Sequence, residues 1–334
     1  MHRRHLLLAT ATGFATGVAL PAIGRAQEAV TMRLSHQYPP AHHMGQAIAR
    51  FAERVKTDSQ GGINVQVFPA EQLAKANENF PGVARGAFEA AAAVNIQWGN
   101  TLPEMSAVSL PYLFTDLAKI RKFPGSDAAS QLDALLQKRA VRNLMWLYTT
   151  RQAIFTSNAR PIVKIEDFKG LKIRGLNALT DHGLAAAGAA PSAMPGPDVP
   201  QALQSGVLDA GLTDLSAGVS RRFYEFQKFG TAAPYFCALT HVYVNPRWWS
   251  ALKPEQQSVL TRAVQATEQE QFPLTEAVAG KAVTELREKG MTVHQQTPEE
   301  AASWAAVMQK PVVDAFLRQA PESGRRLLDA LQAL

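Results

Sequence analysis

Phe168-Lys169-Gly170-Leu171-Lys172-Ile173-Arg174 opens the stretch, running to Asp209, whose reading decides the fold. A basic turn led by Gly170 feeds a short apolar strand (Leu171, Ile173) that ends in one arginine. A helical run from Leu179 to Ala187 follows, then a turn over Pro191–Pro197, then Val199-Pro200-Gln201-Ala202-Leu203-Gln204-Ser205-Gly206-Val207-Leu208-Asp209-Ala210. This is a strand–helix–strand unit, and Arg174 stands at the carboxyl end of its first strand, where open α/β sheets place ligands. A guanidinium there offers a planar fork that matches a carboxylate with two hydrogen bonds. Two roles fit that position: a carboxylate anchor, or a surface arginine paired with an acid of its own lobe.

Outward from this unit the chain keeps alternating. Thr31–Ser35 and Ile63–Val67 have strand periodicity, and between them Ala47, Ile48, Phe51 and Val55 recur at helical spacing until Gly61-Gly62. Phe88–Val94, Asn143–Tyr148 and Ala153–Thr156 read as further strands, with Arg151 between the last two. Such alternation predicts parallel sheets covered by helices. Pro254 to Lys289 has a long helical pattern, and Pro273 inside it predicts a kink or break.

Composition narrows the class. The 334 residues are 46% hydrophobic and 19% charged, enough for a sizeable core in one or two domains. Three of the six net positive charges belong to Arg3, Arg4 and Arg25, and the remainder is too weak and dispersed to attract nucleic acid. The single cysteine, Cys237, excludes an internal disulfide and lies in an apolar run expected to bury it. Residues 1–26 read as an export signal: Arg3-Arg4, the apolar run Leu6–Leu20, then small residues around Gly24-Arg25-Ala26. As a helix that run is about 22 Å long, short of the ~30 Å bilayer core. Paired arginines before Leu6-Leu7 are similar to a twin-arginine signal, though Arg-Arg also opens ordinary secretory leaders. A periplasmic chain, soluble after cleavage, is expected.

In order and spacing, several segments together resemble the solute-binding proteins of TRAP (tripartite ATP-independent periplasmic) transporters, the DctP-like family. They are Met32–His36, "GINVQVFPAEQL" (Gly62–Leu73), "LPEMSAVSLPYLF" (Leu102–Phe114), "RQAIFTSNARP" (Arg151–Pro161), "DFKGLKIR" (Asp167–Arg174), "MPGPDVPQALQSGVLDA" (Met194–Ala210), "RFYEFQKF" (Arg222–Phe229) and "VNPRWWSALKPEQQSVL" (Val244–Leu260). The resemblance implies a bilobal α/β fold of the periplasmic-binding-protein type, with two lobes joined by β-strand hinges and a long spanning helix. Lobe 1 would comprise residues 28–149 plus 239–279, and lobe 2 residues 150–238 plus 280–334. It also implies capture of a small organic acid between the lobes and delivery to the small and large integral membrane subunits of the transporter. No cofactor is implied, and a monomer is expected.

Arg174 matches the family arginine that pairs with the ligand carboxylate, and Arg151 the one preceding the "TSN-RP" strand. Thr213 stands where the family commonly has an amide residue, keeping a hydroxyl but losing the two-ended donor–acceptor. Asp214 reads as a helix cap before a ligand acceptor. Gly196 replaces a frequent aromatic and Pro200 a frequent tyrosine, so the site is expected to be roomier there and the usual ligands do not carry over. Asn95, Trp98, His36 and Tyr235 are further candidates to face the cleft; core packing is the competing role for Trp98, and backbone hydrogen bonding for His36. His42-His43 lacks an acid at ligand spacing, so no metal site is expected. No nucleophile elbow, phosphate loop or His-Glu-x-x-His motif is present, which argues against an enzyme. Two other readings remain open: a periplasmic enzyme exported already folded with a cofactor, and a binding protein that presents its ligand to a sensory receptor.

Overall fold

The structure, a computed structural model, describes residues 29–334; the proposed export signal lies outside them. The strands in chain order are β1 (Val30–His36), β2 (Ile63–Phe68), β3 (Ala90–Val94), β4 (Arg142–Thr150), β5 (Ala153–Ser157) and β6 (Lys172–Gly175). After them come β7 (Ala190–Ala193), β8 (Ala210–Asp214), β9 (Phe229–Ala233), β10 (Ala238–Val244) and β11 (Thr292–Gln295). They form two sheets, one ordered β2-β1-β3-β10-β4 and the other β11-β9-β5-β8-β6-β7. In the first, β1 runs parallel to β2 and β3, whereas β10 is antiparallel to both β3 and β4. In the second, β6 is parallel to β7 and β8, and β5 is antiparallel to β8 and β9. Each sheet with its helices is one lobe of a bilobal α/β fold.

Local sequence explains the central strands. β3 is four alanines and a valine, buried on both faces, so helices close on it from either side. Short links join the lobes. Between β4 and β5 stand only Arg151 and Gln152, and the Thr150 hydroxyl both accepts from Gln152 N–H and donates to its carbonyl. Between β9 and β10 stand Pro234–Cys237, of which Tyr235, Phe236 and Cys237 are buried. Neither link is a loose tether.

The helix Pro254–Glu288 serves both lobes. Val259, Leu260, Ala263 and Val264 join the core under the first sheet, and Ala282, Val283 and Leu286 the core under the second. Leu260 is fully buried, and truncation to alanine is expected to cost about 2–5 kcal/mol. Of the kink or break expected at Pro273, the break does not occur; the helix is continuous through it over 35 residues. Pro273 removes the hydrogen bond to the Gln269 carbonyl, and Gln269 is an exposed residue, so the loss falls on the solvent side of the helix. One lobe boundary also needs correcting. The last helix, Pro321–Gln332, packs on Pro103–Ser109 and on the helix Asp127–Lys138, elements of the first lobe. Leu327, Leu328 and Leu331 are drawn there because they share one face and join the same core as Leu132 and Leu136.

Candidate functional site

The turn at Gly170 requires a positive φ (78°), and it launches β6 so that Arg174 emerges at the carboxyl edge of the sheet. Arg174 is 7% exposed. Its Nε and Nη2 donate to the Met194 carbonyl at 3.1 and 3.0 Å, and Nη1 donates to the Leu212 carbonyl at 2.6 Å. These bonds fix the plane of the fork. A guanidinium has five N–H donors, so two of those on Arg174 are left for a further acceptor. Burial first, and the nearby Arg221 charge second, lower its pKa to about 10.

Arg174 lines a cavity of about 200 Å³ between the lobes. That is below the ~300–1,000 Å³ of pockets for drug-sized molecules, which suits a small solute. The second lobe contributes Thr213, Asp214, Gly196 and Arg221, and the first lobe contributes Gln37, Tyr38 and Gln97. Thr149, at the end of β4, and Phe236, in the β9–β10 link, close the floor. Gln97 donates to Gln37 at 2.9 Å, and Tyr38 and Thr149 both meet the Thr240 hydroxyl, so these polar groups hold one another in place.

Asp214 caps the helix Leu215–Ser220, as its position predicts: its Oδ1 accepts from Ala217 N–H at 2.8 Å and from the Ser216 hydroxyl at 2.6 Å. Burial pushes its pKa up, but hydrogen bonding to His42, the charge of that ring and the Ser216 hydroxyl outweigh it and hold the carboxyl below the usual range. Ser216 Oγ also lies 3.0 Å from His43 Nδ1, whose Nε2 is 3.0 Å from the Thr149 carbonyl. The helix His43–Asp58 of the first lobe thus meets the second lobe at its first turn. This is not a nucleophile relay, because the carboxylate sits on the serine and leaves the histidine without an orienting acid.

The other sequence candidates fall in different places. Arg151 is not among the cavity-lining residues; it bonds Glu276 on the long helix, with Nη2 3.1 Å from Oε2. Asn95 is fully buried, donates to the Met105 carbonyl and to Ser109 Oγ, and accepts from Leu239 N–H, so all its visible bonds are internal. Trp98 packs in the core against Phe80, His241 and Tyr243. His36 is buried with Nδ1 accepting from Tyr38 N–H, and burial lowers its pKa to about 4. Tyr235 is buried between Tyr112, Phe155 and Phe236. Arg174 and Thr213 line the cavity, as do Asp214 and Gly196.

The expected extra room at Gly196 is a correction. A Cβ built on Gly196 would overlap the guanidinium of Arg221, so that side chain occupies the space the missing aromatic leaves. Sequence reasoning passed over Arg221, Gln37 and Asn177. Asn177 follows Arg174 by three residues and donates to the Ile96 carbonyl of the other lobe at 2.8 Å, so the loop after β6 was the signal for it. Arg221 stood one residue before the quoted "RFYEFQKF" segment, and nothing in its spacing marks it.

A two-lobed α/β protein with a fixed cation in a small interlobe cavity is a solute receptor by its construction. Among the described residues no group of His, Cys, Asp and Glu is arranged to hold a metal ion, and no helix is long and apolar enough to cross a membrane. Residues 34–319 match the family model for bacterial extracellular solute-binding protein, family 7 (DctP), and the chain belongs to that family of TRAP-type receptors. It is 27% identical over 310 residues to the C4-dicarboxylate-binding periplasmic protein DctP of Rhodobacter capsulatus, covering 92% of this chain and 91% of that one. It is 26% identical to the sialic acid-binding periplasmic protein SiaP of Vibrio cholerae, covering 83% and 86%. Among solved structures it is similar to DctP7, a Bordetella pertussis extracytoplasmic solute receptor binding pyroglutamic acid, with a TM-score of 0.85, 26% identity, and coverage of 91% and 100%.

Proposed function

We propose that this receptor captures a small organic acid in the interlobe cavity, with the acid's carboxylate on Arg174, and hands it to the membrane subunits of a TRAP transporter. The observation that carries the reading is the buried Arg174 fork, which lines the cavity, is held by two backbone carbonyls and has two donors left over. A buried cation without a counter-ion costs several kcal/mol, so an anion entering the cavity is favoured. Thr213 would give or take one hydrogen bond beside it. The relatives named above bind C4-dicarboxylate, sialic acid and pyroglutamic acid, all acids, which supports the class without selecting a member.

Contacts from both lobes to one ligand stabilise the closed arrangement over an open one, and the two short crossings, Arg151-Gln152 and Pro234–Cys237, are the proposed hinges. Export by residues 1–26, by the twin-arginine or the general route, and a monomeric state belong to the same proposal. Thermal unfolding of the exported chain against mono-, di- and sugar acids tests it. A ligand at 100 times its Kd should stabilise the fold by about 2.7 kcal/mol. Arg174→Lys keeps the charge but not the fork and should remove most of that shift. If no acid moves the melting curve while amines or neutral sugars do, the carboxylate reading is wrong.

A further inference from the structure

The cavity holds a second cation that the fold does not neutralise. Arg221 follows the helix Leu215–Ser220, and its side chain reaches back into the cavity. Among the described residues no carboxylate lies within ion-pair distance of it and no group accepts a hydrogen bond from its guanidinium; Asp214, the one acid on the cavity wall, is engaged with Ser216, Ala217 and, at 3.5 Å, the His42 ring. Burial lowers the Arg221 pKa, while Asp214 is the main charge that opposes this. The position is reachable only because residue 196 has no side chain: the guanidinium lies where a Cβ would be. Gly196 does not have a positive φ, so its glycine is needed for that close approach and not for its backbone angles.

Charge then limits what completes the site. The ionic groups on the wall are Arg174, Arg221 and Asp214, one positive charge in excess while the His42 ring, 3.5 Å behind Asp214, is neutral. A monocarboxylate on Arg174 closes that balance; a dianion would bury a net negative charge in the same small volume. The donors of Arg221 remain for a neutral oxygen. Building on the organic-acid reading, we infer that Arg221, seated over Gly196, is a second anchor that selects monocarboxylates carrying a neutral acceptor oxygen (oxo, hydroxyl or amide) away from the carboxylate. A site built to hydrogen-bond such an oxygen discriminates strongly against analogues lacking it, because its donors are then left unpaired.

Calorimetric titration with butanoate, levulinate, succinamate and succinate tests this on the unaltered chain and on Arg221→Ala, Arg221→Gln and Gly196→Ala. Levulinate and succinamate should bind more tightly than both butanoate and succinate. Arg221→Ala should weaken those two by about 10–100-fold more than it weakens butanoate, which shares only the loss of the charge. Arg221→Gln, which keeps a donor, should recover part of the loss. Gly196→Ala should imitate Arg221→Ala by displacing the guanidinium, without loss of the ligand-free melting temperature. Tighter binding of succinate than of succinamate overturns the inference, as does an Arg221→Ala effect equal for all four acids or absent. In each of those cases acid binding that depends on Arg174 persists, so the organic-acid reading stands. If no acid of this set or of the wider panel binds the unaltered chain, that reading falls and takes this one with it.

Discussion

Glu276 Oε2 lies 3.1 Å from Arg151 Nη2, and its Oε1 lies 2.6 Å from Tyr148 Oη. One carboxylate of the long helix thus holds both the last turn-in of β4 and the residue that begins the crossing to β5. Arg151 is 31% and Glu276 28% exposed at the side chain, so solvent screens the pair and the ionic part is worth no more than about 1 kcal/mol. Its position matters more than its strength. Arg151→Ala is expected to lower the melting temperature slightly, by a few degrees at most, and to change ligand affinity by less than about threefold. A hundredfold loss of affinity would mean that Arg151 swings off Glu276 to meet the ligand.

Glu268 accepts the backbone N–H of Trp146 at 2.7 Å, yet burial first, with the Asp133 charge adding to it, raises its pKa to about 7. A carboxyl whose folded pKa is raised favours the native state below its unfolded value near 4.5 and loses that contribution as pH rises through 7. Glu268→Gln keeps the carbonyl acceptor and removes the charge. The variant should be more stable than the unaltered chain by about 1–3 kcal/mol at pH 8, and no different at pH 4. Denaturant melts at the two pH values decide it; equal differences at both would mean that packing, not ionisation, is responsible.

Three buried histidines act in the opposite sense. Burial lowers the pKa of His36 and His43 to about 4 and of His241 to about 3. Their neutral forms are favoured in the native state, so the stability they contribute is complete above pH 6.5 and is lost as pH falls toward 4. His241 faces Asn143, Trp146, Trp98 and Tyr243, with no acid among them. His241→Gln should therefore flatten the fall in stability between pH 6.5 and 4; an unchanged slope would clear this histidine of the effect.

Asn95 makes three internal bonds, two to the 3-10 turn Pro103–Ser109 and one to Leu239 at the start of β10. Asn95→Ala strands the Leu239 N–H and the Met105 carbonyl in a dry core and should cost about 2–4 kcal/mol in a denaturant melt. Ligand affinity should stay within a few-fold. A stable variant that no longer binds acids would instead make Asn95 part of the site.

Between lobes, Ser216 Oγ and His43 Nδ1 stand 3.0 Å apart. Ser216→Ala removes that link, together with the hydroxyl's bond to Asp214 on the cavity wall, and is expected to raise Kd by about three- to tenfold, since the closed arrangement loses an interlobe hydrogen bond. Small-angle scattering of the ligand-free variant should report a larger radius of gyration. An unchanged radius together with an unchanged Kd would show that the contact does not hold the lobes.

Periodicity alone revealed most of the strands, because a buried parallel strand such as β3 leaves a short apolar run that nothing else explains. The Arg174 position was legible for the same reason: a strand ending in a cation is a local pattern. Arg221 was not, since its role depends on a contact with Gly196 that is 25 residues away and invisible until the β7 loop and the helix Leu215–Ser220 are brought together. Nor was the internal role of Asn95 or Trp98 visible. Both stand at a strand's carboxyl end, where the rule that places ligands cannot tell a side chain turned to the cleft from one turned to the core. The path of the last helix was likewise settled by a leucine face whose partner lies some 200 residues earlier.

The strand β10 lies between β3 and β4 although it follows them by about a hundred residues. A growing or translocating chain that has delivered only residues up to Ser157 therefore has two facing sheet edges with nothing between them. The first lobe cannot close until the second has been threaded, so assembly is all-or-none and slow by topology. A partly delivered chain exposes open edges of the kind that pair with neighbouring chains, a hazard that lasts until residues 238–244 arrive.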